Sequence, residues 1–267
     1  MRILVVGGTG FLGRQLVASA LGHEVVGTYF SGAARDGWYQ LDLCDRAAVD
    51  EVVAAVRPDV VINAAYSSSD WKTTADGAAY VALAAVRYGA RLVHVSTDAL
   101  FSGKDVVYDE TAVPDPISPY GAAKAAAETA VRAIDPGAVV ARTSLIMGAG
   151  SETEQLVRQL VAGGDGVLFT DDFRCVVSVD DLASALLELA ESDRSGIHHL
   201  GGAEPIDRYS LGQLIARHLG LDPSAIRPGT RAASGIPGPL DVRLDSTKTQ
   251  SFLKTRLRGA TAFLPPA

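Results

Sequence analysis

The sequence predicts an α/β protein built on a doubly wound parallel sheet, with a small discontinuous C-terminal lobe. Three observations predict it. Short apolar runs alternate with helix-patterned stretches, as in a parallel sheet covered on both faces. The first run, Leu4-Val5-Val6, passes directly into Gly7, Gly10 and Gly13 and then into a helical pattern. After Ala141 the regular alternation breaks down, and it returns only in part. A strand, a glycine turn and a helix in that order suit a backbone that bends sharply and lets a pyrophosphate lie against the positive end of the helix. The arrangement is Rossmann-type, and it predicts a bound dinucleotide.

The elements follow in order. The first helix carries Leu12, Leu16, Val17 and Ala20 at helical spacing and stops at Gly22. Glu24 to Tyr29 is a second strand, and Ala47 to Val56 a helix closed by Arg57-Pro58. Val60-Val61-Ile62 is a short buried strand ending in Asn63-Ala64-Ala65. Ala78 to Tyr88 is helical, Arg91 to Val95 a strand, Tyr120 to Ile134 an alanine-rich helix, and Val139 to Ala141 the next strand. Leu145 to Phe169 reads as helix and loop. Val176 to Glu191 reads as strand plus helix, and Gly196 to Leu200 as one more strand. Ser210 to Leu219 is a helix with Leu211, Leu214, Ile215 and Leu219 on one face, and the tail from Pro223 shows little periodicity. This pattern places residues 1–145 and 175–203 in the dinucleotide-binding domain and 146–174 and 204–267 in the lobe.

Composition narrows the function. With 48% apolar residues in 267, the chain can bury a large core. No run approaches the roughly 18 to 20 apolar residues that span a bilayer, and a strand starting at Arg2-Ile3 leaves no leader to expect. A cytoplasmic enzyme is the simplest expectation. Cys44 and Cys175 are too few for a disulfide framework or a thiolate zinc site, and both read as small core residues. No metal is expected. A net charge of −7 argues against nucleic acid or an anionic membrane as partner. A small molecule is expected instead, and a homodimer is left open.

Two segments carry the candidate chemistry. In Tyr120-Gly121-Ala122-Ala123-Lys124 the Tyr and Lys are four apart and share a helix face. A phenol of reference pKa about 10 is a poor acid–base group at neutral pH, and a neighbouring cation lowers that pKa. The second segment, Val95-Ser96-Thr97-Asp98, ends an apolar strand at the sheet edge where open α/β sheets bind ligands. A hydroxyl there can hold a substrate oxygen while Tyr120 protonates it.

On these residues the chain resembles the extended short-chain dehydrogenases/reductases over nearly its whole length. Gly7-x-x-Gly10-x-x-Gly13 is similar to the family's cofactor turn. Asp42-Leu43 resembles its adenine-contacting pair, and Asn63-Ala64-Ala65 the segment beneath the cofactor. Thr97, Tyr120 and Lys124 fall at its catalytic positions. Val95 to Gly103, Arg142-Thr143-Ser144 and Gly196 to Leu200 are most similar to the dTDP-4-dehydrorhamnose reductase subgroup. The resemblance implies reduction of a 4-keto group on a nucleotide-linked deoxysugar. Tyr120 would be the proton donor, Lys124 would hold the nicotinamide ribose, and Thr97 would orient the keto oxygen. Ser96, Asp98 and Arg142 are then expected at the substrate. Phe173 to Ala183 instead resembles the Arg-x-x-x-x-x-Asp-Asp stretch of sugar-nucleotide epimerases, which points Arg174 at the substrate diphosphate. Ser67 to Thr74 departs from the reductase pattern. Family dehydratases carry an acid pair after the Thr; here Thr97-Asp98 is followed by Ala99, which disfavours dehydration. Epimerisation, a natural-product ketoreductase and a cofactor-binding regulatory subunit without turnover stay open.

Cofactor choice turns on Gly27-Thr28-Tyr29-Phe30-Ser31, where NAD enzymes place an acid for the adenine ribose and this chain has none. Arg14, Arg35 and Ser31 can meet a 2′-phosphate, which favours NADPH, with NADH the alternative. The turn residues Thr9, Phe11 and Leu12 complete the expected cofactor site. His198-His199 lies in a strand, where the two side chains face opposite ways and cannot chelate one metal. One of them reads as core. Lys248, Lys254, Arg256 and Arg258 read as a solvated basic tail, and Trp38 and Trp71 as loop anchors, with a place for Trp71 in the pocket lining left open.

Overall fold

Strands form where β-branched and aliphatic runs are short and bounded by turn residues: β1 Arg2–Val6, β2 Glu24–Tyr29, β3 Tyr39–Gln40, β4 Val60–Asn63, β5 Arg91–Thr97, β6 Val139–Thr143 and β7 Gly196–Leu200. In the computed structural model, which describes residues 1–32 and 35–266, they pair in parallel in the order β7-β6-β5-β4-β1-β2-β3. The register is continuous across the centre. Val5 lies opposite both Gly27 and Ile62, and Val95 opposite Ala141. The strand order reverses between β1 and β4, which opens a crevice at their C-terminal ends.

Helices cover both faces, because residues alternate across each strand. Ile3, Val5, Val93, Val95 and Val139 pack under α1 (Phe11–Ser19) and α6 (Val179–Glu191). Leu4, Val6, Val61, Leu92 and Val140 pack under α2 (Arg46–Val56), α3 (Gly77–Tyr88) and α4 (Pro119–Ile134). Local chemistry sets the helix starts. The Asp45 carboxylate accepts from Ala47 N and Ala48 N, and the Ser118 hydroxyl accepts from Gly121 N just after Pro119 at the first position of α4.

The lobe has its own core of Met147, Val157, Leu160, Leu168, Leu211, Ile215 and Ile226, built around α5 (Glu152–Val161) and α7 (Arg208–His218). Its four-stranded sheet runs Ile206–Asp207, Phe173–Arg174, Asp241–Leu244 and Val107–Tyr108. The last of these comes from within residues 1–145, the segment expected to belong wholly to the dinucleotide-binding domain. Two residues are too few to show a period of two, so nothing in the sequence marks that excursion. Val177–Ser178 pairs with Ile146–Met147 rather than joining the main sheet. No helix among the described residues is long and apolar enough to cross a membrane.

Both His198 and His199 are buried, not one of them. Burial, followed by the nearby Arg142 guanidinium, pushes His199 down to about 4. Burial also lowers His198, and burial together with Lys124 holds His94 well below its ordinary value. The unfolded chain takes up protons near pH 6.5, whereas these rings stay neutral in the fold. Stability is therefore full above about pH 6.5 and is lost as pH falls toward 4. His199 alone accounts for about 3 kcal/mol of that loss. Urea midpoints between pH 7 and 4.5 should fall steeply, and less steeply in His199→Gln; identical slopes in the two proteins would refute the assignment.

Candidate active site

At the crevice, β1 turns sharply into α1. Gly7 adopts a φ of +82°, closed to most side chains, and a Cβ there would meet Ala65 Cβ at 2.9 Å. A Cβ on Gly13 would lie 2.1 Å from Gly7 O, so the helix can approach the turn only with glycine there. Gly7 N donates to Thr28 Oγ1 at 3.0 Å, and Gly10 N to Gly7 O at 3.0 Å. Gly10 caps α1 without a side-chain acceptor, and the first turn holds no acid. Its leading N–H groups thus suit an anion, and the cradle fits a pyrophosphate.

Other expected cofactor residues surround this turn. The Arg14 Nη1 donates to Thr9 O at 2.7 Å and braces the loop from its exposed side. Phe11 is half-buried beside Gly148, and Leu12 is core, so Leu12 can offer only backbone. Ser31 is exposed at the end of β2, and the Arg35 guanidinium stacks 4.8 Å from the Trp38 ring. Asp42 is exposed, with its carboxylate accepting from Cys44 N at 2.8 Å, while Leu43 is buried. Asn63 is buried, with Nδ2 3.3 Å from His94 Nδ1 and Oδ1 accepting from Ala65 N. Ala64 N donates to Val6 O, which ties β4 to β1 beneath the crevice.

Thr97 closes β5, and Tyr120 stands in the first turn of α4, where the Ser118 cap fixes it. The Thr97 hydroxyl donates to Asp98 Oδ1 at 3.4 Å and accepts from Ala99 N at 3.2 Å. Burial, then Tyr66, raises the Tyr120 pKa well above its ordinary value; Thr97 works against this and Asp98 adds to it. Lys124 is buried and donates to Val95 O at 2.6 Å, and burial lowers its pKa to about 8. The phenol is therefore held protonated rather than drawn toward phenolate. That corrects the expectation of a Tyr120 pKa lowered by Lys124, because desolvation dominates here.

Three expected substrate residues are placed elsewhere. Ser96 is buried and alternates to the face opposite Thr97, so the two hydroxyls do not share a pocket. Arg142 is 1% exposed. Its Nε and Nη2 bind the Glu128 carboxylate at 2.9 to 3.2 Å, and Nη1 donates to Ala112 O. It is a structural ion pair. Arg174 is also buried. Its guanidinium donates to Phe173 O at 2.6 Å and Pro239 O at 2.8 Å, and pairs with Asp172 at 2.8 Å. Asp98 accepts from Ser144 Oγ at 2.6 Å and lies 3.7 Å from Arg174 Nε.

Two residues at the site carried no expectation. The Tyr66 ring lies 5.6 Å from that of Tyr120, tilted by 49°. Its place directly after Asn63-Ala64-Ala65 was the available signal. Arg208, at the start of α7, reaches the Asp172–Arg174 cluster, and no sequence feature marks a lone arginine there.

The chain is similar to known proteins over nearly its whole length. The chain is 32% identical over 259 residues to the dTDP-4-dehydrorhamnose reductase of Mycobacterium tuberculosis, covering 89% of this chain and 82% of that one. It is 31% identical over 278 residues to methionine adenosyltransferase 2 subunit beta of Xenopus tropicalis, covering 94% and 82%. A crystal structure of a hypothetical dTDP-4-dehydrorhamnose reductase from Sulfolobus tokodaii superposes with a TM-score of 0.86 at 31% identity, covering 97% of each chain. The sequence pattern of the RmlD substrate binding domain runs through residues 1–262, and the chain belongs to that family.

Proposed function

We propose that the protein is an NADPH-dependent reductase acting on a keto group, the 4-keto group of a nucleotide-linked deoxysugar. The observation that carries this reading is the placement of Thr97 at the C-terminal end of β5 and of Tyr120 in the first turn of α4, with the phenol kept protonated by burial, in a fold whose β1–α1 turn forms the glycine cradle. A proton donor must hold its proton until charge develops on the acceptor, and a buried phenol does so.

The residues that would hold the dinucleotide are the turn Gly7 to Arg14 at the pyrophosphate, Asn63 to Ala65 beneath it, and Asp42 and Leu43 toward the adenine. Ser31, Arg35 and Arg14 would meet the 2′-phosphate, and Tyr120 and Lys124 the nicotinamide ribose. When bound, the reduced nicotinamide supplies a hydride to the carbonyl carbon. Thr97 Oγ1 orients the keto oxygen, and Tyr120 transfers its phenolic proton to that oxygen as it becomes an alcohol. Lys124, charged below its pKa of about 8, offsets the negative charge left on Tyr120. The proposal places the protein in the cytoplasm; whether it works as a homodimer is read by sedimentation velocity.

The test is NADPH oxidation by purified protein against a panel of 4-keto-6-deoxy sugar nucleotides, with NADH in parallel. Turnover with at least one sugar and a preference for NADPH are expected. The likeness to a protein named as a methionine adenosyltransferase subunit favours a second reading, a cofactor-binding subunit. Tight NADPH binding with no turnover on any sugar, and a copurifying partner, would move the conclusion to that reading.

A further inference from the structure

We infer that Trp38 is a positioning residue for cofactor choice: its indole, wedged against the glycine turn, holds Arg35 ready for the 2′-phosphate. The inference rests on the NADPH reading above. β2 carries a glycine, Gly27, between Val26 and Thr28, and a glycine inside a strand marks a close approach by another group. Here the approaching group is the indole. A Cβ on Gly27 would lie 2.5 Å from Trp38 Cζ3, and a Cβ on Gly8 would lie 2.8 Å from the same atom. Gly27 is the register partner of Val5 in β1, and Gly8 belongs to the turn that follows β1. The ring therefore fills the space of two missing side chains, one in the sheet and one in the cradle itself. An anchor that served only its own loop would not require both.

The same indole carries the arginine. The Arg35 guanidinium carbon lies 4.8 Å from the ring centroid. Trp38 N donates to Arg35 O at 3.0 Å, and Gly37 has a φ of +75°, the sign that the third residue of a type II turn requires. That turn brings the two side chains together. Arg35 is exposed, and its guanidinium makes no hydrogen bond or ion pair with a described residue. The ring is thus its one fixed contact among the described residues. A free arginine side chain carries roughly 2 kcal/mol of rotamer entropy, and stacking removes part of that cost before a ligand arrives. The planar fork left over matches a phosphate oxyanion. Because the indole rests on Gly8, the fork is held beside the turn that cradles the pyrophosphate, near the end of β2 where Ser31 is exposed. Trp38 touches no phosphate in this scheme; it acts through Arg35.

The experiment is calorimetric binding of 2′,5′-ADP and of ADP, which lacks the 2′-phosphate, to the full-length wild type, Trp38→Leu, Trp38→Phe, Arg35→Gln and the double variant Trp38→Leu with Arg35→Gln. Arg35→Gln should weaken 2′,5′-ADP about 10- to 100-fold, as expected for loss of a charge-assisted hydrogen bond. Trp38→Leu should weaken it about 3- to 10-fold, the loss of one cation–π contact and of the ordering it provides. Trp38→Phe keeps a ring under the guanidinium and should restore binding. ADP affinity should be unchanged in every variant. On the Arg35→Gln background, Trp38→Leu should add nothing, because the two residues act as one unit. Unchanged or tighter 2′,5′-ADP binding in Trp38→Leu overturns this inference alone, and so does an equal loss for ADP, which would make the indole a structural anchor. A wild type that binds ADP as tightly as 2′,5′-ADP overturns it together with the preference for NADPH.

Discussion

Tyr120→Phe is expected to lower kcat by about 10²- to 10⁴-fold, the range that a positioned acid–base group contributes. The phenyl ring keeps the packing against Tyr66 and removes only the hydroxyl. NADPH affinity, read by fluorescence titration, should change little, and thermal stability should hold. The pH dependence follows from the neighbouring cation. As Lys124 loses its proton through about pH 8, the charge that offsets the developing phenolate disappears, so kcat should decline above that pH. A variant with more than about a tenth of wild-type kcat on the sugar that the wild type reduces would remove Tyr120 from the role of proton donor.

The largest stability effect is expected at Glu128→Gln. The Arg142 guanidinium is 1% exposed and Glu128 2% exposed, so water cannot screen or replace the carboxylate. With its charge removed, the guanidinium retains Ala112 O at 3.3 Å and the His199 ring nitrogen at 3.5 Å. Breaking a buried pair by removing one partner costs about 3 to 5 kcal/mol. For a chain of this size that lowers Tm by roughly 6 to 20 °C. The paired change Glu128→Met with Arg142→Met should cost much less, since no charge is left behind. A Tm within about 2 °C of wild type for Glu128→Gln would show that the pair does not hold α4 to β6 as described.

The sequence was informative wherever function depends on local spacing. Gly7, Gly10 and Gly13 sit between an apolar run and a helix, and Tyr120 and Lys124 share one helical face; both patterns survive unchanged in the fold. Charge pairing was not legible. Arg142 and Arg174 look identical in sequence to ligand-binding arginines, and only the tertiary positions of Glu128, Asp172 and the 239–240 carbonyls show that both are already neutralised. Ser96 was misread for a simpler reason: it neighbours Thr97 in sequence, but strand alternation turns it away.

The short ladder of Val107–Tyr108 with Arg243–Leu244 has a mechanical consequence. The strand Val107–Tyr108 leaves the catalytic edge only ten residues after Thr97 and is stitched into the sheet of the other lobe. Phe101 and Tyr108, stacked with centroids 4.1 Å apart, pin both ends of that excursion against Val242 and Leu244. The lobe cannot swing open as a rigid flap without tearing this seam or dragging the loop behind Thr97 with it. Movement of the lobe and of the loop behind Thr97 are thus geared to each other, with Asp98 and Arg174 as the meshing teeth.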